Sequence, residues 1–224
     1  MPEFFQTTSG IRSLFQPLER THALAPAFFD GQVQARLFAD DIVSPQAGFL
    51  VYNSRVLCAG VPGADFLGEM KDRFASDLIP AHRQKGNDAF VFLLPSGSSP
   101  NALEEMFSGY QLHHGTRQYY ETVTFGPQPE LSLPKGFSLH WITPEFLSSD
   151  FVGLEAVREE MCSERSSIDD FLAHSFGVCP VCENEVAGWC MSEYNTGTRC
   201  EIGIATLEKH QRKGIATLVS RVFL

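Results

Sequence analysis

Residues 200–216 read CEIGIATLEKHQRKGIA, and this stretch decides the fold of the region around it. Its first seven residues have the pattern of a β-strand, and apolar residues then recur at helical spacing at positions 215, 218, 219, 222 and 223. A strand that runs into a helix presents backbone N–H groups without intrahelical partners, and these groups suit an anion such as phosphate. The stretch therefore predicts a strand–loop–helix unit with an anion site at the loop.

Four residues of this loop fit a phosphate ligand. Gly214 lets the ligand approach the backbone closely, and Ala216, two residues later, also has a small side chain. Arg212 and Lys213 add positive charge at the same end of the helix. An ordinary strand–turn–helix with a glycine at a tight position would show the same residues, so the pattern alone leaves that alternative open.

The segment from Glu201 to Val219 resembles the acetyl-coenzyme A binding motif of the GNAT N-acetyltransferase superfamily. In that motif a Gln or Arg, two residues, a Gly, one residue and a Gly or Ala follow a central strand. The resemblance implies that the backbone of Ile204, Ala205 and Thr206 pairs with pantetheine and offers an N–H to the thioester oxygen. It also implies a pyrophosphate site formed by Gln211, Arg212, Lys213, Gly214, Ile215, Ala216 and Thr217.

Composition and charge narrow the class of protein. The chain has 224 residues, 43% of them hydrophobic, and a formal net charge of −10. A sizeable core is therefore available, and the acidic balance argues against a nucleic-acid surface, which needs a basic stripe. Since no apolar stretch approaches 18 residues and the N-terminus lacks the features of a signal peptide, we expect no membrane partner and a cytoplasmic location. Nothing in the sequence indicates an oligomeric state.

The cysteines predict structural thiols. Four of the six lie close together in the sequence, at Cys179, Cys182, Cys190 and Cys200. Without a secretory signal they are expected to be reduced, and a zinc site would normally show a second closely spaced ligand pair. All four fall in predicted strands, where Cys is a common small apolar residue. We expect no metal, with a small cysteine-bound zinc module as the alternative.

Three prolines and two glycines in residues 125–136 indicate a break between two parts of the chain. We predict an N-terminal α/β domain over 1–126, a linker over 127–136 and a GNAT N-acetyltransferase domain over 137–224. The predicted order after the linker is strand, helix, helix, strand, strand, strand, helix, with the first helical region running from 143 to 161. The resemblance thus implies an α/β (α+β) fold, a GNAT-like mixed central sheet flanked by helices.

The chain ends inside the helix that follows the phosphate motif, so we expect this GNAT domain to be C-terminally incomplete. In the family, a fifth strand then splays from the fourth to form the pantetheine cleft, and the next helix often carries the Tyr that protonates the thiolate. Either the chain is a fragment, or another element completes the sheet.

The N-terminal part has a pattern of its own. Residues 36–41 and 48–57 are predicted to pair as strands, and 64–78 as a helix. A strand over 89–94, a helix over 101–107 and a strand over 118–125 follow, which is the order in which a GNAT domain ends. We therefore predict a degenerate GNAT-like half without a phosphate motif, and an unrelated α/β domain remains the alternative.

Glu201 is the candidate general base. Strand alternation puts it on the face of Gly203 and Ala205, two small residues that leave room for a ligand. In some GNAT enzymes a Glu at the start of this strand serves as the base, directly or through water. A solvent-facing Glu at a strand end is the alternative. Tyr194 is a weaker candidate for the acid that protonates the thiolate.

The predicted function is an N-acetyltransferase that moves an acetyl group from acetyl-CoA directly to an amine on a small molecule or a protein. A non-catalytic acyl-CoA-binding or interaction protein derived from the GNAT fold is the alternative. Acidic residues of the two helices would attract a cationic amine or would simply form a solvated face. They are Glu155, Glu159, Glu160, Glu164, Asp169 and Asp170.

Overall fold

The computed structural model describes residues 9–121 and 133–224, together with the backbone of the strand Glu3–Phe4. The chain forms two compact units, Met1–Tyr119 and Tyr120–Leu224, which are called here the N-terminal and the C-terminal unit. None of the helices in the described residues has the length and apolar content needed to cross a membrane.

The region between the units is described only in part. Residues 127–132 of the predicted linker lie outside the described residues, as do 122–125 of the strand predicted over 118–125. Residues 118–121 are exposed and irregular, so the start of that predicted strand is wrong. The predicted domain bounds, 1–126 and 137–224, stay predictions.

The N-terminal unit is a five-stranded sheet with helices. The strands follow the order β1-β2-β3-β4-β5, antiparallel except for the parallel pair β4–β5. Helices α3 and α4 are joined by a π-helical turn at Phe74–Leu78. The elements are β1 (Glu3–Phe4), α1 (Ser9–Glu19), α2 (Leu24–Phe29), β2 (Arg36–Ala39), β3 (Ala47–Tyr52), β4 (Arg55–Gly60), α3 (Ala64–Arg73), α4 (Ile79–Gln84), β5 (Val91–Leu93) and α5 (Asn101–Met106).

The single strand predicted over 48–57 is wrong, because the chain turns back at its middle. β3 and β4 form a hairpin in which Tyr52 pairs with Arg55. Asn53 makes the turn with φ +47°, a left-handed conformation that Asn tolerates better than most residues. Two helices before β2 were not predicted, although Ile11, Phe15 and Leu18 mark the buried face of the first.

The C-terminal unit is a sheet of antiparallel strands in the order β10-β9-β7-β6, with β8 paired to β7. A 3-10 turn, Glu208–His210, precedes the last helix. The elements are β6 (Phe137–Trp141), α6 (Pro144–Leu147), α7 (Leu154–Glu164), α8 (Ile168–His174), β7 (Gly177–Cys182), β8 (Glu185–Val186), β9 (Gly188–Glu193), β10 (Glu201–Thr206) and α9 (Ile215–Phe223). The predicted α/β fold, sheets flanked by helices, is confirmed.

Local chemistry sets the helix starts. The Thr143 side chain accepts a hydrogen bond from the Phe146 N–H at 3.2 Å, and the Ser167 side chain accepts one from the Asp170 N–H at 3.1 Å. The helical region predicted over 143–161 is two helices, because Gly153 takes φ +90° and begins α7 anew.

The C-terminal sheet carries a separate apolar cluster on each face. On one face Val157, Met161 and Phe171 of the helices pack with the sheet residue Met191. On the other, α9 packs against Val178 and Cys190, with Cys200 and the predicted apolar residues of α9 contributing. The helix α9 is thereby fixed beside β10, and the two elements form the site.

Candidate functional site

The site begins at β10, the edge strand of the described sheet. Its residues Glu201, Gly203 and Ala205 lie opposite Glu193, Met191 and Trp189 of β9. Ile202 and Ile204, on the other face, are 40% and 44% exposed although they are apolar. Within residues 133–224, no strand pairs with the outer edge of β10. Backbone groups and apolar side chains are therefore presented there together.

The loop after β10 is held to the end of the strand. The Gln211 side chain donates a hydrogen bond from Nε2 to the Thr206 carbonyl at 3.0 Å. Arg212 and Gly214 both take left-handed backbone conformations, with φ +60° and +76°. A Cβ at Gly214 would meet nothing within 4 Å, so the glycine is required by its backbone angle and leaves open space above the turn.

The first turn of α9 presents free donors. The first intrahelical bond runs from the Leu218 N–H to the Gly214 carbonyl at 3.0 Å. The N–H groups of Ile215, Ala216 and Thr217 therefore precede the helical ladder. No side chain caps this end of the helix. Ile215 is buried and anchors the turn, while Ala216 and Thr217 are exposed.

The charge around the turn is positive. Arg212 and Lys213 are exposed, and no carboxylate in the described part of the chain forms an ion pair with either. The neighbouring Lys209 differs, since its Nζ is paired with Glu185. Two cations and the positive end of the helix dipole thus converge at one exposed turn.

His210 lies just before the turn and is only 7% exposed. Its ring stands edge-on to Phe137, with centroids 5.6 Å apart, and neither ring nitrogen has a hydrogen-bond partner among the described residues. Burial lowers the pKa of His210, and the nearby Lys213 and Lys209 lower it further. Sequence reasoning gave this residue no part in the site, and only its place in the chain could have indicated one.

Two carboxylates face each other across β9 and β10. Glu201, at the start of β10, is partly buried, and its partner Glu193 is 7% exposed. A Cβ at Gly203 would overlap the Glu193 carboxylate, so this carboxylate lies over the middle of β10. On α7, Glu160 and Glu164 approach it, with ligand oxygens of the three side chains within 4.8 Å of one another.

Comparison with known protein families identifies the family of this chain. The GNAT acetyltransferase family matches residues 13–224, which include most of both units. This chain belongs to the GNAT acetyltransferase family. No curated protein matches the sequence significantly.

Three solved structures resemble this chain. A GCN5-related N-acetyltransferase-like protein from Streptococcus suis 89/1591 has a TM-score of 0.57 and 16% identity, over 93% of this chain and 83% of that one. A GCN5-related N-acetyltransferase from Sphaerobacter thermophilus has a TM-score of 0.46 and 17% identity, over 88% of this chain and 70% of that one. A GCN5-related N-acetyltransferase from Kribbella flavida has a TM-score of 0.39 and 12% identity, over 95% of this chain and 77% of that one. The first likeness shows a shared fold.

The structure brings most of the predicted site residues together. Residues 211–217 form the end of the loop and the first turn of α9, all exposed except Ile215, and residues 204–206 lie on the strand that leads into the loop. Glu201 lies at the opposite end of that strand. Glu193 was not among the predicted site residues, and the absence of a side chain at Gly203, across the hairpin, was the only signal for it.

The acidic residues of the GNAT helices do not act as one surface. Glu155 forms an ion pair with Arg158 at 3.4 Å, and Asp170 accepts a hydrogen bond from the Ser166 hydroxyl at 2.8 Å. Only Glu160 and Glu164 converge, together with Glu193. Two of the six acidic residues therefore lie close together, and their attraction for an amine stays a prediction.

Of the four cysteines that lie close together in the sequence, Cys179 and Cys190 are buried and Cys182 and Cys200 are partly buried. Burial raises the pKa of Cys179 and of Cys190 to about 12. Burial also raises the pKa of Cys200, and the Glu201 and Glu193 carboxylates add to that shift. Cys179 and Cys182 point to opposite faces of β7, so the pair cannot hold one ion. Among the described residues, no three cysteines lie close enough together to form a candidate metal-binding group.

Tyr194, the residue after β9, has an unusual backbone conformation. It is 1% exposed and takes φ +49°, a left-handed angle that is rare for a bulky residue. Its neighbour in the chain is Glu193. Such strained residues persist where the surroundings hold them, and they cluster at functional sites.

Proposed function

We propose that this chain is an N-acetyltransferase that transfers an acetyl group from acetyl-coenzyme A directly to an amine of a small molecule or a protein. Family membership supports acyl transfer as the class of reaction. The observation that carries the proposal is the turn before α9. It combines three N–H groups ahead of the helical ladder, open space at Gly214 and two cations without described carboxylate partners.

The pyrophosphate of the donor fits this turn. The N–H groups of Ile215, Ala216 and Thr217 would donate to phosphate oxygens, and Arg212 and Lys213 would balance the charge. Gln211 would keep the turn at the end of β10 through its bond to Thr206. A residue larger than glycine at 214 would fill the open space and strain the backbone.

The pantetheine arm fits the outer edge of β10. Its amide groups would pair with the backbone of Ile204, Ala205 and Thr206 as an added strand does. A backbone N–H on this edge would then donate to the thioester oxygen, where negative charge develops during transfer. The exposed side chains of Ile202 and Ile204 would cover the apolar part of the arm.

Acetyl-coenzyme A supplies an acetyl group activated as a thioester. The protein must remove a proton from the amine so that the nitrogen lone pair can attack the carbonyl carbon. A carboxylate beside β10 would accept that proton. Glu201 is the candidate that the sequence indicates, and Glu193 stands directly opposite it.

Coenzyme A binding tests the proposal first. A ligand that binds only the native state raises the melting temperature, so millimolar coenzyme A should raise it. Gly214→Asp should abolish the shift by adding bulk and negative charge. Gly31→Asp is the matched control, because Gly31 has a similar φ of +74° and open surroundings in the N-terminal unit. An unchanged melting temperature for the folded wild-type chain would contradict the proposal.

Transfer itself is tested by thiol release from acetyl-coenzyme A with a broad panel of primary amines. Release that depends on both the amine and an intact Gly214 is the expected result. Binding of coenzyme A without acetylation of any amine would favour the non-catalytic alternative, an acyl-CoA-binding or interaction protein.

A further inference from the structure

We propose that Glu193, in place of Glu201, takes the proton from the attacking amine. This inference rests on the proposed acetyltransferase function. It follows from the position of the two carboxylates along β10, from their burial and from the backbone that holds Glu193.

The two carboxylates differ in their distance along β10 from the proposed thioester. The Glu193 carboxylate lies over Gly203, because a Cβ on that glycine would overlap it. Gly203 adjoins Ile204, which of the three residues proposed to pair with pantetheine is the farthest along the chain from the phosphate turn. Because pantetheine links the pyrophosphate to the thioester, the thioester would lie at this end. The backbone of Glu201 is three residues before Ile204, or about 10 Å along a strand that rises about 3.3 Å per residue. The backbone of Glu193 pairs with that of Glu201, but its side chain reaches forward over Gly203. A general base must come within hydrogen-bond reach of the amine, and that amine must approach the carbonyl carbon. Glu193 meets this condition more closely.

Burial also distinguishes them. Glu193 is 7% exposed, whereas Glu201 is only partly buried. A charged group away from bulk water interacts more strongly with an ammonium group than a solvated one does. Oxygens of Glu160 and Glu164 lie within 4.8 Å of one another and of a Glu193 oxygen, so a protonated amine at Glu193 would meet more than one carboxylate. An amine that arrives protonated is therefore drawn to Glu193 before it reacts.

The backbone fixes Glu193 at the end of β9. It pairs with Glu201 in the register of the hairpin, and the next residue, Tyr194, is buried with φ +49°. A left-handed tyrosine is strained, so this end of the strand has little freedom to rearrange. The absence of a side chain at Gly203 gives the carboxylate its space.

The proposed step balances in protons and bonds. The ammonium group gives one proton to the Glu193 carboxylate, which becomes neutral. The amine nitrogen then bonds to the carbonyl carbon, the bond from that carbon to sulfur breaks, and the second amine proton passes to the thiolate. Glu193 returns its proton to water, so that one proton is released for each amide formed from an ammonium group.

Two neutral, isosteric variants test the inference in the full chain. Glu193→Gln should lower kcat about a hundredfold, the usual scale of general-base catalysis, and leave coenzyme A affinity unchanged. The loss should shrink as pH rises, because the amine then arrives already neutral. Glu201→Gln should lower kcat much less than Glu193→Gln does. Glu105→Gln, which neutralises an exposed carboxylate of the N-terminal unit, is the control for a lost charge outside the site.

A second variant tests the inference if the Glu193→Gln chain folds poorly. Gly203→Ala leaves Glu193 intact but displaces its carboxylate from the strand, so it should lower kcat at least tenfold with coenzyme A binding retained. A wild-type kcat in either folded variant would overturn the inference, and so would a large loss in Glu201→Gln alone. A wild-type chain that binds no coenzyme A or acetylates no amine would instead defeat the proposed function.

Discussion

At the scale of single residues, the phosphate turn depends on two left-handed backbone positions of different kinds. Gly214 takes φ +76° at no steric penalty, whereas Arg212 takes φ +60° with a long side chain. A left-handed conformation costs a residue with a Cβ about 1–2 kcal/mol. Arg212 therefore carries strain at a position where its charge faces the proposed pyrophosphate.

Replacing this arginine should separate strain from charge. Arg212→Gly relieves the left-handed strain, whereas Lys213→Gly relieves none, because Lys213 has no positive φ. The first variant should therefore be about 1 kcal/mol more stable than the second. Both should bind coenzyme A more weakly, since each loses one cation. Chemical denaturation and calorimetric titration measure the two effects, and equal stability of the variants would contradict the strain.

His22 predicts a pH dependence of stability. It is 3% exposed, and its ring meets Tyr119 edge-on with a 3.2 Å contact between Nε2 and the hydroxyl. Burial lowers its pKa to about 4, with Arg117 and Arg55 contributing. Between pH 6.5 and 4 the unfolded state binds more protons than the folded state, so acidification destabilises the fold by about 2–3 kcal/mol in all.

His22→Gln should remove this dependence. The variant should gain stability relative to wild type as the pH falls from 6.5 to 4, and the difference should level off below pH 4. Denaturation curves of both chains at several pH values measure it. A difference that stays constant with pH would contradict the buried, neutral histidine.

At the scale of elements, the sequence predicts periodic strands and helices better than turns. The strand β10 and the helix α9 follow from the local pattern of apolar residues, and the structure has both. The turns at Asn53 and Gly153 divide elements that periodicity joined, because φ at one residue decides them. Single residues that tolerate left-handed angles interrupt a pattern without changing its period.

The candidate site divides in the same way. Its phosphate turn is contiguous in sequence, so residue types and spacing indicate it. Glu193 is indicated by neither, because its relation to Gly203 depends on the register of the β9–β10 hairpin. Which residues of two strands lie side by side is decided by the three-dimensional structure and is not apparent from spacing along the chain.

The bond between Gln211 and Thr206 predicts a coupling of the turn to the strand. Gln211→Ala removes this 3.0 Å bond, so the turn should move more freely relative to β10. Because a hydrogen bond contributes about 1 kcal/mol, coenzyme A affinity should fall about fivefold to tenfold. Glu208→Ala is the control, since this exposed side chain makes no described hydrogen bond. Equal affinities of the two variants would exclude the coupling.

At the scale of the whole molecule, each unit contains a strand that leads into a helix, and the two connections differ chemically. In the C-terminal unit, residues 207–214 connect β10 to α9. In the N-terminal unit, Val61, Pro62 and Gly63 connect β4 to α3, and Asp65 lies in the first turn of the helix. Pro62 has no N–H to donate, and the negative charge of Asp65 opposes an anion. We infer that the N-terminal unit has no phosphate site at this connection.

Amide hydrogen exchange should show this asymmetry. Saturating coenzyme A should slow exchange in peptides that cover residues 201–217, because bound phosphate and pantetheine would occupy or shield their N–H groups. Peptides that cover residues 61–67 should exchange at the same rate with and without the ligand. Gly214→Asp should abolish the protection at 201–217 and leave the N-terminal peptides as they were. Protection at 61–67 that persists in Gly214→Asp would mean that the N-terminal connection binds the ligand, because the variant removes only the C-terminal phosphate site.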